Sequence, residues 1–494
     1  MVALERPILA VDPAAPLKPT LLHKVVYSVG QFAQSGGFDT ALPFIFFYYT
    51  AVLGLGGALV GLALAVSLAF DAVVDPLVGS WSDNIRSRLG RRLPLMLVAA
   101  PFMLAAMGLV FSPIHGLSQM GLFAWLTVTC VAVRSFISLF NVPYIALGAE
   151  MSEDYVERSS VVAIRALAGI AAGVLVTVLA FALFFVGKEG LQKANAYPGF
   201  GWTVGVLLGV AAVLCVAGLR RYAPALPQGQ TVAAPMWRRL PGELTEIFRN
   251  RSFRLLFISA MAFYVAVGLN ATLATHANVF VWKLPAVLIQ FVGYGLLAGI
   301  LGGVALSPWV ARRIEKKHIV LIGVAMVVVV WTVLPSLRAF GLIHISGPSA
   351  IWPLAINAAF AGVGVGLVSV AYPSMMADAA DEHEYLMGSR REGLYFAGLG
   401  FAGKASGGVG VLVAGLALQV IGFPKDASHM VALRPEVVTR LMLAHGPGAA
   451  LFGLISMAIF APYGLSRLRQ IEISKTLAVR RAQALKARPD APAA

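Results

Sequence analysis

The chain has 494 residues, of which 59% are hydrophobic and only 12% charged, about half the charged share of an ordinary soluble domain. Twelve membrane spans at about 20 apolar residues each need roughly 240 residues; the composition supplies them, which excludes a soluble enzyme. The formal net charge of +15 does not imply nucleic acid, because the bases lie in short loops between apolar runs and not on one solvated face.

Apolar helical runs are predicted at 25–51, 58–81, 93–112, 121–149, 161–186, 201–221, 253–281, 286–310, 318–338, 350–376, 393–421 and 445–465. These define an all-α membrane protein with twelve transmembrane helices in two six-helix bundles. The expected organisation is a tail at 1–24, a first bundle at 25–221, a basic linker at 222–252, a second bundle at 253–466 and a basic tail at 467–494. The first 24 residues hold three prolines and no apolar stretch long enough for a signal-peptide core. Of the 38 Lys and Arg, 28 fall on the side of both termini, seven on the other, and Arg134, Arg165 and Lys404 within or at the edge of spans. That bias makes both termini cytosolic, in a multi-pass protein of the plasma (inner) membrane.

Arg238, Arg239, Arg249, Arg251 and Arg254 beside Trp237 and Phe248 read as a membrane-surface linker or as bases that enforce topology. Cys130 and Cys215 both lie in apolar runs, where packing is the expected role.

The halves repeat weakly. Tyr144, Glu150, Glu153 and Asp154 are echoed 228 residues on by Tyr372, Asp378, Asp381 and Glu382. Gly79 with Arg91 and Arg92 is echoed by Gly303 with Lys316 and Lys317. Duplicated bundles are a common plan of secondary transporters.

Asp71 and Asp75 lie four residues apart, so both carboxylates project from one face of the second span. Charges at that depth are costly and mark an ion path or a cavity, although one acid could simply pair with a basic neighbour to hold two helices. Two adjacent acids also favour proton uptake by one of them. Lys404 lies midway along span 11 among small residues, too deep to snorkel, and its charge can balance the pair.

The segment from Asp71 through Asp75, Pro76, Gly79, Asp83, Arg86, Arg88, Gly90, Arg91 and Arg92 to Pro94 resembles the glycoside-pentoside-hexuronide:cation symporters, the melibiose-permease type of the major facilitator superfamily. Phe47-Tyr48-Tyr49-Thr50, the stretch Asn141 to Leu147, Glu157-Arg158, and Asp378 through Arg391-Glu392-Gly393 to Lys404 extend the likeness over most of the chain. The resemblance makes Asp71 and Asp75 the coupling-cation carboxylates, with the Ser138 hydroxyl beside them and Lys404 as their counter-charge. Val74 stands where sodium-using members can offer an amide oxygen, which favours H+ over Na+ as the coupling ion, since a hard cation needs several oxygen ligands.

At the sugar site Ser35 and Asn141 stand where such relatives carry acids, and Ile145 and Ser369 where they carry tryptophans, so the coupling machinery is kept while the reader is altered. The pocket candidates are Gln34, Ser35, Asp39, Arg134, Asn141, Tyr144 and Lys404. Asn141 serves equally as interhelical glue. Asp39 and Arg134 each lie about 20 Å along their spans from opposite faces and are expected to pair, either as a structural clamp or as a reader whose Arg134 receives a solute carboxylate. At the cytosolic ends Asp83, Arg88, Arg91 and Arg92 are expected to face Glu150, Glu153, Asp378 and Asp381 as a network closing the bundles.

The sequence therefore reads as a carrier and not an enzyme. It has no phosphate-cradling Gly-Lys-Ser or Gly-Lys-Thr, no cofactor beyond the coupling ion, a small-molecule solute and the lipid bilayer as partners, no nucleic acid, and nothing that implies an oligomer. The expected activity is symport of a glycoside, sugar acid or related polar solute. The rivals are a carrier of an amphipathic non-sugar such as a lysolipid and a non-transporting receptor or scaffold, which three costly buried charges disfavour.

Overall fold

A computed structural model of the protein describes residues 19–33, 37–152, 154–187, 190–223, 245–389, 391–425, 427 and 433–486. Eleven helices among them are long and apolar enough to cross a membrane, and a shorter apolar helix, Phe38–Val52, completes the set of twelve. With no water in the hydrocarbon layer, every backbone N–H and C=O must be satisfied within its own helix, so apolar runs of this length have no alternative to the α-helix.

The first span departs from its predicted single run. It comprises Leu21–Gln31 and Phe38–Phe47, continued by a π-helical turn at Tyr48–Val52. Spans 2 to 6 are Gly57–Asn84, Leu93–Val110, Gln119–Glu150, Tyr155–Leu179 and Ala196–Leu219. Spans 7 to 11 are Arg251–His276, Ala286–Arg313, Lys316–Ala339, Ile351–Met387 and Glu392–Val420. Span 12 is Pro435–Phe460. Polar side chains start several of them: Ser118 accepts from Gly121 N at 3.2 Å, Asp154 from Glu157 N at 2.9 Å and Asn250 from Phe253 N at 3.0 Å.

The internal repeat is visible in backbone geometry. Span 1 ends with Leu53 N donating to Tyr48 O (2.9 Å) and Leu55 N to Tyr49 O (2.8 Å); span 7, 229 residues on, ends with Trp282 N to Ala277 O (2.9 Å) and Leu284 N to Asn278 O (2.9 Å). Both turns need one residue in the left-handed region. In the first bundle that residue is Gly54, at φ 69°; in the second it is Lys283, at φ 52°. A side chain at that φ costs energy that glycine does not.

Two segments outside the spans, the C-terminal tail and the end of the linker, pack against the second bundle. The 467–494 tail contains a helix, Arg467–Lys486, whose Ile473 and Leu477 are buried. It docks on the end of span 10: Arg481 grips Glu384 with two nitrogens (2.5 and 3.1 Å), and Gln470 donates to Asp381 at 3.2 Å. Two further arginines, Arg469 and Arg480, lie 5.4 and 5.1 Å from the Tyr385 ring. Trp237, Arg238 and Arg239 of the linker lie outside the described residues. Phe248 packs edge-on against Phe253 and Phe257, so the linker's end touches the second bundle. Cys130 and Cys215 are free and buried.

Candidate functional site

A cavity of about 400 Å³ lies between the bundles, walled by spans 1, 2 and 4 on one side and by spans 7 and 11 on the other. Asp39, Asp71, Arg134, Ser138 and Asn141 come from the first bundle, Thr272 and Lys404 from the second. The i, i+4 spacing of span 2 turns both acids to the same neighbours, as the sequence implies. Ser138 Oγ donates to Asp71 Oδ1 at 2.5 Å. Lys404 Nζ reaches across from span 11 to Asp75 Oδ2 at 2.7 Å and lies 3.9 Å from Asp71. Arg134 Nη1 is 3.7 Å from Asp71 Oδ2, while its Nε donates to Ser67 Oγ at 3.1 Å and its guanidinium covers the Phe38 ring at 4.9 Å.

The balance of charge is uneven. Asp39, Asp71 and Asp75 supply three carboxylates against the two bases Arg134 and Lys404. Two acceptors, Asp75 Oδ1 and Asn141 Oδ1, are buried without a hydrogen-bond partner among the described residues. A site with one surplus negative charge and unfilled acceptors is suited to receive one positive charge.

Two expectations about the pocket change. Arg134 pairs with Asp71 and Ser67, and among the described residues Asp39 makes no ion pair. The physical reason is reach: Arg134 lies one helical turn from Ser138, so it shares that residue's neighbour, Asp71. Tyr144 does not line the cavity; it is fully buried inside the first bundle, stacked on Tyr27 at 4.4 Å and Phe140 at 5.4 Å. Gln34 and Ser35 lie outside the described residues.

The two ends of the interface differ. On the face away from the termini, spans 2 and 11 touch backbone to backbone. A Cβ on Gly57 would come within 2.6 Å of the Gly415 carbonyl oxygen, and Gly408 accommodates the side chain of Leu68. Thr50 and His276 share a hydrogen bond between the bundles at 2.8 Å, and His276 is enclosed by Phe46 and Phe47 of the first bundle and Phe280 and Phe423 of the second. From sequence alone His276 is as readily a helix contact as a pocket residue, Thr50 figures only within the Phe47-Tyr48-Tyr49-Thr50 stretch, and Ser67 carries no signal.

On the basic face the described ion pairs stay within each bundle, where the sequence suggested pairs across them. Arg91 and Arg92 both reach Glu150 at 2.8 Å, and Arg92 also reaches Asp83 at 2.6 Å. In the second bundle Lys316 binds Asp378 at 2.5 Å, the repeat-related counterpart of the Arg91–Glu150 pair, and Asp381 faces the C-terminal helix. Arg88 is exposed and without an ion pair among the described residues, and Glu153 lies outside them.

Residues 26–467 match the family described as MFS/sugar transport protein. The chain is 24% identical to the isoprimeverose transporter of Lactiplantibacillus pentosus, with 84% of each chain covered. It is 26% identical to the glucuronide carrier protein homolog of Escherichia coli (strain K12), covering 91% of this chain and 93% of that one. A solved bacterial homolog of the human lysosomal transporter Spinster, in an inward-facing and unoccupied conformation, superposes with a TM-score of 0.62 at 14% identity, over 89% of this chain and 95% of that one. At that identity the likeness concerns the fold alone.

Proposed function

This chain belongs to the MFS/sugar transport protein family, and from that premise we propose that it is a proton-coupled symporter working by alternating access. It is a membrane transporter for sugar-like solutes and not an enzyme. The observation that carries the coupling is the surplus carboxylate: three acids against two bases at an interface between two bundles.

In the empty carrier Lys404 of the second bundle neutralises the span 2 acids of the first. A cation arriving at Asp71 or Asp75 competes with that lysine and loosens the bridge between bundles. Asp71, Asp75 and the Ser138 hydroxyl supply the oxygens of the pair, Val74 adds no side-chain oxygen, and Ser138, Lys404 and Arg134 already engage three of the four carboxylate oxygens, which leaves few free for a hard cation. A proton needs only one of them. The loop charge bias puts the basic face in the cytosol. With the bundles meeting at the other face, we read the conformation as inward-facing, the membrane as the plasma membrane and both termini as cytosolic.

The solute would lie against Asp39, Asn141 and Thr272. Because Arg134 is committed to Asp71, a neutral glycoside is favoured over a sugar acid. The apolar wall of Leu42, Leu64, Leu68, Ile137 and Val411 keeps an amphipathic solute as a second reading, but about 400 Å³ lies near the lower end of small-molecule sites and is short for a lysolipid.

The test is uptake into proteoliposomes under an imposed pH gradient at zero sodium, with glycosides, glucuronides and a lysophospholipid as candidates. Accumulation of a glycoside that follows the pH gradient, with Asp75→Asn losing uphill uptake but retaining counterflow, is expected. Accumulation that follows sodium at fixed pH would overturn the proton.

A further inference from the structure

The repeat relates two corners of the closed face, and they are not alike. Beside the turn at Gly54, a pocket of about 310 Å³ is narrowed by Gln119, which accepts from Gly56 N at 3.2 Å and donates to Gly54 O at 3.0 Å. Beside the matching turn at Lys283 the space is about 1220 Å³. Its walls come from the ends of spans 5, 7, 8, 9 and 12 and so lie at the level where a bilayer surface would meet the protein. Both bundles contribute, the first through Leu191 and Gln192.

The chemistry of this larger space is one-sided. Arg338 points both terminal nitrogens at backbone carbonyls, those of Ile345 and Val281 (the latter at 3.0 Å), and has no carboxylate partner among the described residues. Lys283 and His344, both exposed, join it, and no acid is among the described residues that line the cavity. Below them the wall is apolar, formed by Phe280, Leu284, Val438 and Met442 among others. Lys283 holds its place at a positive φ where its repeat partner is a glycine, and side chains kept in such a conformation concentrate at functional sites.

We propose that this cavity binds an acidic amphiphile from the bilayer leaflet on that side, one with a carboxylate-type head and a single apolar tail. The head sits between Arg338, Lys283 and His344, and the tail lies along Phe280, Leu284, Val438 and Met442. Guanidinium and ammonium groups with no carboxylate partner among the described residues recognise the head, the apolar wall takes the tail, and the volume exceeds what a compact polar solute needs. Because both bundles line the cavity in the closed arrangement of this face, a bound amphiphile would favour that arrangement. This site is separate from the central cavity and does not depend on what the carrier transports.

The test is binding of radiolabelled oleate to the full-length carrier in phosphatidylcholine nanodiscs, corrected for empty discs. Lys283→Gly is the informative variant, since glycine suits the backbone there and removes the charge without disturbing the fold. Saturable binding at one site is expected, weakened at least ~10-fold by Lys283→Gly and further by Arg338→Gln, with methyl oleate failing to compete. Binding unchanged in Lys283→Gly, equal competition by methyl oleate, or displacement by inorganic phosphate alone would each overturn the proposal.

Discussion

The two faces of the bundle interface are built from different materials. On the face away from the termini, contact is apolar and backbone-close: Gly57 against Gly415, Leu68 against Gly408, and one polar contact, Thr50 to His276, inside an aromatic enclosure. On the basic face the interactions are ionic, and the described ones remain inside their own bundle. Glycine fits are all or none, because packed backbones do not tolerate an added carbon. Ion pairs at a wet surface are individually weak and can exchange partners. A carrier with one of each can therefore shut one side sharply while rearranging the other gradually.

The largest effect is expected where the apolar contact is filled. In Gly415→Leu the new side chain meets the Gly57 backbone, and overpacking of about 1–3 kcal/mol should depopulate the closed face by roughly 5- to 150-fold. Spin labels at Ile114 and Leu342, both exposed on that face, should report longer distances between bundles; unchanged distances would mean that the glycine fit does not govern closure. Glu150→Gln sharpens the contrast from the other side. It removes the shared acceptor of Arg91 and Arg92, so thermal stability should fall by about 2 kcal/mol, while the distance between bundles on the closed face stays the same.

Thr50→Val leaves the buried His276 Nε2 without its partner. About 1 kcal/mol is expected to be lost from the closed state, a shift of roughly fivefold in the same spin-label populations. The smallest effect concerns the linker end. Glu246 accepts from Ser389 at 2.9 Å and faces His383 and Arg391, and these contacts, the Ser389 hydrogen bond first, hold its carboxyl below the usual range. A lowered carboxyl stabilises the fold above its ordinary value near 4.3. The contribution is lost as pH falls through the lowered value, so Glu246→Gln should differ from the native protein at neutral pH and converge with it in acid.

What could be read in advance follows from which signals are local. The spans, the charge bias and the Asp71, Asp75 and Lys404 constellation rest on composition and spacing, and the repeat emerges again in the matched turns at Gly54 and Lys283. Depth around a helix is another matter. Most spans are apolar all round, so periodicity does not say which side faces the cavity, and Tyr144 was assigned to the pocket when it packs on Tyr27. Arg134 was matched to Asp39 by height in the membrane, but a long side chain chooses its partner by azimuth, and that chosen partner is Asp71. The docked C-terminal helix was hidden because its arginines read as a solvated tail until Glu384 and Tyr385 were placed opposite them.

The central claim is that one surplus carboxylate among Asp39, Asp71 and Asp75 receives a proton with each solute. The most direct measurement is proton movement itself: a pH-sensitive dye in the lumen of sodium-free, weakly buffered proteoliposomes while a transported glycoside is added outside. Lumenal acidification that tracks solute entry and disappears in Asp75→Asn is the expected result. Solute entry with no change in lumenal pH, restored or accelerated by sodium alone, would contradict it.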